Sequence, residues 1–199
     1  MARIHELMSA QEPPLHATEM AEIELTGFFI DKAAHNALLE TALNELATRK
    51  IPAGTGPRLM LLGSVGNLEA ISLIESFGAR VVTDDYCTGT RYYQSEISGD
   101  GDRLGSLAAH MIEKPQCPLK DMPDRKRLAH LSNRIDEFGV EGVLYTIQRQ
   151  CDSHGMDYPA TESLMREKNI PIMKLELDQS VPAGQLRTRI EAFLEMIGC

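Results

Sequence analysis

The sequence predicts an α/β fold: a flavodoxin-like (Rossmann-like) parallel four-stranded sheet with helices on both faces, preceded by a helical N-terminal segment. From Arg58 onward, short apolar runs alternate with longer segments whose apolar residues recur at helical spacing. Glycine and proline punctuate the junctions, at Gly78, Gly139 and Pro159 among others. Strand, helix and strand following one another this closely fold as right-handed βαβ units, and a sheet of such units is parallel and covered on both faces.

Each element has its own signal. Residues 1–24 are polar, contain Pro13 and Pro14, and read as a loosely attached lead-in with a short helix. Leu38, Leu39, Ala42, Leu43 and Leu46 recur at helical spacing, so a helix is expected over 31–50, stopped by Pro52, Gly54, Gly56 and Pro57. Strand one is expected over 58–62, then a tight turn over 63–67. A helix over 68–77 follows, with Asn67 as its cap and Gly78 as its left-handed C-terminal residue. Strand two is expected over 79–83, and 92–102 is polar and turn-rich. Helices follow over 104–113 and, starting at Pro123, over 123–138. The segment from Pro115 to Pro118 that holds Cys117 separates them, and Gly139 closes the second. The run 140–147 has the composition of a buried strand and ends in a polar loop carrying Cys151, Asp152 and His154. Pro159 suits the first turn of a helix over 160–168, strand four covers 170–177, and Leu186, Ile190, Phe193, Leu194 and Ile197 mark the inner face of a last helix. The expected division is a helical segment over 1–52 and an α/β domain over 53–199.

Composition narrows the function classes. The chain has 199 residues, of which 43% are hydrophobic and 25% charged, as in ordinary globular proteins. Its formal charge of -9 argues against non-specific nucleic-acid binding and against attraction to an anionic membrane, so an anionic ligand requires a local basic cluster. No apolar run reaches membrane-spanning length and the first residues lack a signal-peptide core, so the expected compartment is the cytoplasm. Cys87, Cys117, Cys151 and Cys199 are widely spaced without a CxxC pair, and a reducing compartment keeps them as thiols.

Chemistry is expected beyond the carboxyl ends of the strands, where open α/β sheets bind ligands at the point of strand reversal. In the order 2-1-3-4 that point lies between strands one and three, joining loops 63–67 and 148–154, with loop 84–91 on the other side of strand one. Cys151 and Cys87 both fall at this edge, where a thiolate can ligate a metal or cluster; the competing reading is a buried, inert thiol. Cys117 is less well placed, and Cys199 is terminal. His154 makes a C-x-x-H spacing with Cys151, which suits zinc only with a second pair, so a loop histidine bonded to backbone is the simpler reading.

Ser64 lies in a turn that opens a helix, where backbone N–H groups favour an anion, although the turn lacks a P-loop lysine. Arg187 and Arg189 stand in the first turns of the last helix, against its dipole, which points to an anionic partner; alternatively Arg187 pairs with Glu191 on the surface. Asp84 and Asp85 are adjacent at a strand end and point to opposite faces, so one of them turns the loop. Arg125, Lys126 and Arg127 read as the solvated first turn of a helix.

The segments GARVVTDDYCTGTRYY, GVEGVLYTIQRQCDSH, IPIMKLELD and GQLRTRIEAFLEMI, in this order and spacing, resemble the carboxyl-terminal half of the 2-hydroxyacyl-CoA dehydratase D-component family, which also includes benzoyl-CoA reductase subunits. The resemblance covers about Phe28 to the end. It implies an anaerobic, oxygen-sensitive enzyme subunit with a 4Fe-4S cluster held between two flavodoxin-like domains. It also implies three partners: an acyl-CoA substrate, a second dehydratase or reductase subunit, and an ATP-dependent iron-sulfur activator that supplies a low-potential electron. In the dehydratases that electron reaches the thioester carbonyl of a (R)-2-hydroxyacyl-CoA as a ketyl radical, and in the reductases related electron delivery reduces an aromatic ring.

By the same resemblance Cys151 in RQCDSH matches the cluster ligand of the carboxyl-terminal domain, and Cys87 in DDYCTGTR lies in a characteristic family segment. Gln185, Arg187 and Arg189 match a GQ-x-RTR stretch expected to hold the partner domain, an acidic group near the cluster, or the CoA moiety. Family members are roughly twice as long and take their other cluster cysteines from an amino-terminal domain, so this chain reads as half a subunit. The other function class to weigh is a non-catalytic electron-reservoir or scaffold module in a hetero-oligomer.

Overall fold

A computed structural model describes residues 1–8, 10, 12–52, 54–95, 97, 99, 101–114, 117–121, 125–178 and 183–198. Cys199, Pro115 and Pro123, each named above, lie outside the described residues. Strands β1 (Arg58–Gly63), β2 (Arg80–Tyr86), β3 (Gly142–Gln148) and β4 (Ile172–Leu177) form one parallel sheet in the order β2-β1-β3-β4, as expected. Around it lie the helices α1 (Ala2–Met8), α2 (Ala17–Phe29), α3 (Lys32–Leu46), α4 (Leu68–Ser76), α5 (Thr90–Tyr93), α6 (Arg103–Glu113), α7 (Lys126–Phe138), α8 (Asp152–Glu167) and α9 (Ala183–Met196).

The central strands are continuous apolar runs because both of their faces are covered. One face of the sheet packs Leu59, Leu61 and Leu144 against residues of α1, α2, α4 and α9, including Ile4, Met20, Ile74 and Ile190. The other packs Met60, Leu62, Val143 and Tyr145 against Leu131 and Ile135 of α7 and Met165 of α8.

The N-terminal residues are integral to this core rather than a loose lead-in. Ile4 and Leu15 are fully buried in it. Glu75 of α4 caps α2 from outside, its carboxylate accepting from the Ala17 N–H at 2.6 Å and the Thr18 hydroxyl at 2.7 Å. Such a bond satisfies helix-start donors that would otherwise be orphaned. Local capping follows the sequence elsewhere: Asp31 accepts from the Ala33 N–H at 2.8 Å, and Asn67 accepts from the Ala70 N–H at 2.7 Å.

Two boundaries depart from expectation, for the same physical reason. β2 continues to Tyr86, so Asp84 and Asp85 are strand residues, buried on opposite faces, and not loop residues. α8 begins at Asp152, and Pro159 sits inside it rather than in its first turn. The buried face of this helix is polar, carrying His154, Asp157 and Thr161 ahead of Met165 at helical spacing. A search for apolar periodicity passes over such a stripe. α7 is described from Lys126, with Asp121 capping it through the Arg127 N–H at 2.7 Å.

β1 ends where it must approach its neighbours most closely. Gly63 pairs with Tyr86 on one side and Thr146 on the other, at φ +141, and an added Cβ would lie 1.8 Å from the Thr146 carbonyl oxygen. Gly78, at φ +82, has open space around its Cβ position. Gly63→Ala is therefore expected to cost at least about 2 kcal/mol and Gly78→Ala only about 1 kcal/mol. Urea denaturation of the two variants measures the difference; equal losses would contradict the tight packing of the strand end.

Candidate functional site at the sheet crest

The crest is assembled by Ser64, the first residue after β1. Its hydroxyl accepts from the Gln148 N–H at 3.2 Å, its carbonyl accepts from the Cys87 N–H at 3.0 Å, and its own N–H donates to the Thr146 carbonyl at 3.3 Å. One buried serine thus ties together the carboxyl ends of β1, β2 and β3. Cys87 follows directly from β2, and Cys151, whose N–H donates to Gln148 at 2.9 Å, caps the start of α8. Cys87 is exposed, while Cys117 and Cys151 are half-buried.

Beneath these thiols runs a closed ring of polar contacts. Arg91 donates to the Cys87 sulfur at 3.2 Å and to the Asp85 carboxylate at 2.6 Å. Arg127 also donates to Asp85, and through Nε to Asp157 at 3.0 Å. Tyr145 donates to that same Asp157 oxygen at 3.1 Å, and its oxygen meets His154 Nδ1 at 2.8 Å. His154 Nε2 lies 3.7 Å from the Cys87 sulfur, which closes the ring. Because the Tyr145 hydroxyl spends its proton on Asp157, its oxygen accepts from His154, and the histidine carries its proton on Nδ1. The lone pair on Nε2 then faces the Cys87 thiol.

Burial and charge set the protonation states. Burial alone would raise the Asp85 pKa, but Arg127 and Arg91 outweigh it and hold the carboxyl far below the usual range. Burial lowers His154 to about 4, helped by Arg91 and Arg127, so the imidazole is neutral at pH 7. Burial pushes the Cys87 thiol up; Arg91 opposes this, while Cys117, Asp85 and Cys151 add to it.

Several expectations change here. His154 is neither bonded to backbone nor teamed with Cys151; it is buried and belongs to Cys87. Arg127 is not solvated: it is 1% exposed and bridges two buried carboxylates. Arg125 does lie near the surface, reaching Asp157 at 3.5 Å. As expected, Asp84 turns the chain after β2, accepting from the Tyr86 N–H at 2.9 Å and the Thr90 N–H at 3.0 Å. Ser64, Cys87 and Cys151 are brought together at the crest.

Gln185, Arg187 and Arg189 lie apart from it. Gln185 and Arg189 line a cleft of about 160 Å³ with Arg149, and the Arg189 guanidinium donates to the Lys174 carbonyl at 2.7 Å. Arg187 stacks on the Phe77 ring, 4.9 Å from its centroid, in place of the surface pair with Glu191. Nothing in the sequence pattern marks Arg91 or Tyr145 as members of the ring, and Asp157 is marked by its helical spacing from His154 and Thr161 alone.

The arrangement defines a class: an α/β domain that presents thiols, an arginine and a neutral histidine beyond the carboxyl ends of its strands. The chain belongs to the family described as 2-hydroxyglutaryl-CoA dehydratase, D-component, whose profile matches residues 1–197. The match includes α1 and α2 and so reaches upstream of Phe28, where the motif resemblance stopped. Among curated relatives, the chain is 24% identical over 172 residues to lactoyl-CoA dehydratase subunit beta of Anaerotignum propionicum, covering 85% of this chain and 46% of that protein. It is 26% identical over 196 residues to (R)-2-hydroxyglutaryl-CoA dehydratase, subunit beta, of Acidaminococcus fermentans, covering 94% and 52%. A benzoyl-CoA reductase subunit of Thauera aromatica is 20% identical over 166 residues, covering 81% and 42%. The chain spans about half the length of these relatives.

Arg127→Met would leave Asp85 and Asp157 without their shared buried cation, at a cost of about 3–5 kcal/mol. Arg125→Met, removing a partner whose side chain is 35% exposed, is expected to cost less than about 1 kcal/mol. Chemical denaturation of both variants checks this, and comparable losses would contradict the assignment of Arg127 as the central cation.

Proposed function

We propose that this chain forms the cysteine-bearing α/β part of a subunit of an oxygen-sensitive iron-sulfur 2-hydroxyacyl-CoA dehydratase or related benzoyl-CoA reductase. The observation that carries the reading is the placement of Cys87, directly after β2, and Cys151, at the start of α8, on one crest, with Arg91 donating to the Cys87 sulfur. Thiols on exposed crest loops are the donor set of an iron-sulfur cluster. Cys151 and Cys87 are the proposed ligands of a 4Fe-4S cluster, completed by cysteines from outside this chain.

When bound, such a cluster supplies one-electron chemistry at low potential. The rest is work for the protein's own residues. The neutral His154 would face the Cys87 sulfur through Nε2, and the Arg91 N–H would stabilise the thiolate once its proton has left to solvent, as outer-sphere donors do in metal sites. Cys151 holds the N-cap position of α8, the end at which a helix dipole favours negative charge. The cleft of Arg149, Gln185 and Arg189 is the proposed seat of the CoA phosphates, which would compete with Asp178 for Arg149, while Ser64 holds the strand ends that would border the acyl group.

α6 supports a hetero-oligomeric setting. Among its described residues none is buried, and Leu104, Leu107 and Met111 line up at helical spacing in the open. A second subunit is the proposed cover, and an ATP-dependent iron-sulfur activator is the proposed electron source.

Anaerobic reconstitution with iron and sulfide, read by metal analysis and electron paramagnetic resonance, tests the ligand assignment. Cys151→Ser is expected to abolish the cluster signal, and Arg91→Gln to weaken cluster retention roughly tenfold. A cluster signal unchanged by Cys151→Ser would contradict the proposal.

A further inference from the structure

Asp84 faces away from the crest ring, into a second polar cluster that the proposed function does not use. His5 of α1, Glu24 of α2 and Asp84 of β2 meet in a small cavity of about 30 Å³, with Arg134 of α7 also in its lining. Glu24 is 5% exposed and Arg134 is 7% exposed, in surroundings made largely of apolar side chains. Ligand atoms of His5, Glu24 and Asp84 all lie within 4.8 Å of one another, the one such grouping found among the described residues.

The hydrogen bonds around the cluster fix where its lone pairs point. The Thr90 hydroxyl donates to Asp84, so its oxygen is left to accept from His5 Nδ1 at 3.2 Å. His5 therefore carries its proton on Nδ1, and its Nε2 lone pair faces Glu24 Oε1 across 3.3 Å. Neither Nε2 nor Oε1 has a hydrogen-bond partner. Two electron-rich atoms facing each other in a low-dielectric interior need a positive charge between them.

We propose that His5, Glu24 and Asp84 bind a divalent transition-metal cation of the zinc class. One imidazole nitrogen and two carboxylates are a donor set such ions accept. The supporting contacts are those that metal ligands have. The second His5 nitrogen donates to an oxygen held by a carboxylate, and Asp84 is steadied by the backbone N–H groups of Tyr86 and Thr90. Two carboxylates against the single Arg134 guanidinium leave one negative charge uncompensated in the cavity. The alternative occupant is a proton: burial, with Asp84 beside it, raises the Glu24 pKa well above normal, and burial lowers His5 to about 4. A bound cation would pin α1 and α2 to the edge strand of the sheet, and this site stands independently of any iron chemistry at the crest.

The test uses the full chain with Cys87, Cys117 and Cys151 each changed to Ser, titrated with Co²⁺ and with Zn²⁺ at neutral pH and checked for folding by circular dichroism. One equivalent of Co²⁺ is expected to produce a d–d spectrum, and Zn²⁺ to displace it and raise Tm. Glu24→Gln and His5→Gln are each expected to lower the metal affinity at least roughly tenfold. Should the serine variant not fold, the parent chain serves, since an N/O site gives no thiolate charge-transfer band whereas a cysteine site does. No spectrum and no Tm change in a folded chain, or binding undiminished in both substituted chains, would overturn the proposal. So would a Glu24→Gln chain that is more stable than a parent that takes up no metal, which would identify the occupant as a proton.

Discussion

The buried guanidinium of Arg127, set between Asp85 and Asp157, is the interaction on which the crest depends. It joins three elements: α7, which carries the arginine, β2, which carries Asp85, and α8, which carries Asp157. Removing such charges from water is expensive, and the arrangement persists only because each carboxylate has further donors. Asp85 also receives Arg91, and Asp157 also receives Tyr145 and the Thr161 hydroxyl. The consequence is orientation. Tyr145 is turned toward Asp157, His154 toward Tyr145, and the unprotonated nitrogen of His154 toward Cys87.

β2 thereby separates two polar centres of different character. On one side, Asp85 anchors a ring rich in arginine that ends on an exposed thiol. On the other, Asp84 anchors a compact oxygen-and-nitrogen cluster closed over by α1 and α2. Adjacent residues of a strand point to opposite faces, so one Asp-Asp pair serves both. The first centre suits soft chemistry at sulfur and the second suits a borderline-hard cation, and the edge strand of the sheet is their common support.

Much of the fold is legible in the sequence because burial on both faces makes parallel strands into unbroken apolar runs. The strand order, the Asn67 cap and the Gly139 stop follow from pattern and from turn chemistry. The crest positions of Cys87 and Cys151 follow in turn, since strand ends locate them. What escaped is buried polarity. Arg127 reads as surface because its partners Asp85 and Asp157 stand 42 and 30 residues away. The first half of α8 reads as loop because its inner face is His154, Asp157 and Thr161, and Asp84 and Asp85 read as the end of a strand that in fact contains them. In the N-terminal segment, Ile4 and Leu15 are core residues, but they are too sparse to register as a periodic pattern.

The central claim is that the ring delivers a neutral His154, protonated on Nδ1, to the Cys87 thiol. Long-range proton–nitrogen correlation NMR on the isotopically labelled chain reads this directly, with the His154 signals assigned by their loss in His154→Gln. At pH 7 an Nδ1–H tautomer with Nε2 unprotonated is expected. An Nε2–H tautomer or an imidazolium at that pH would contradict the claim.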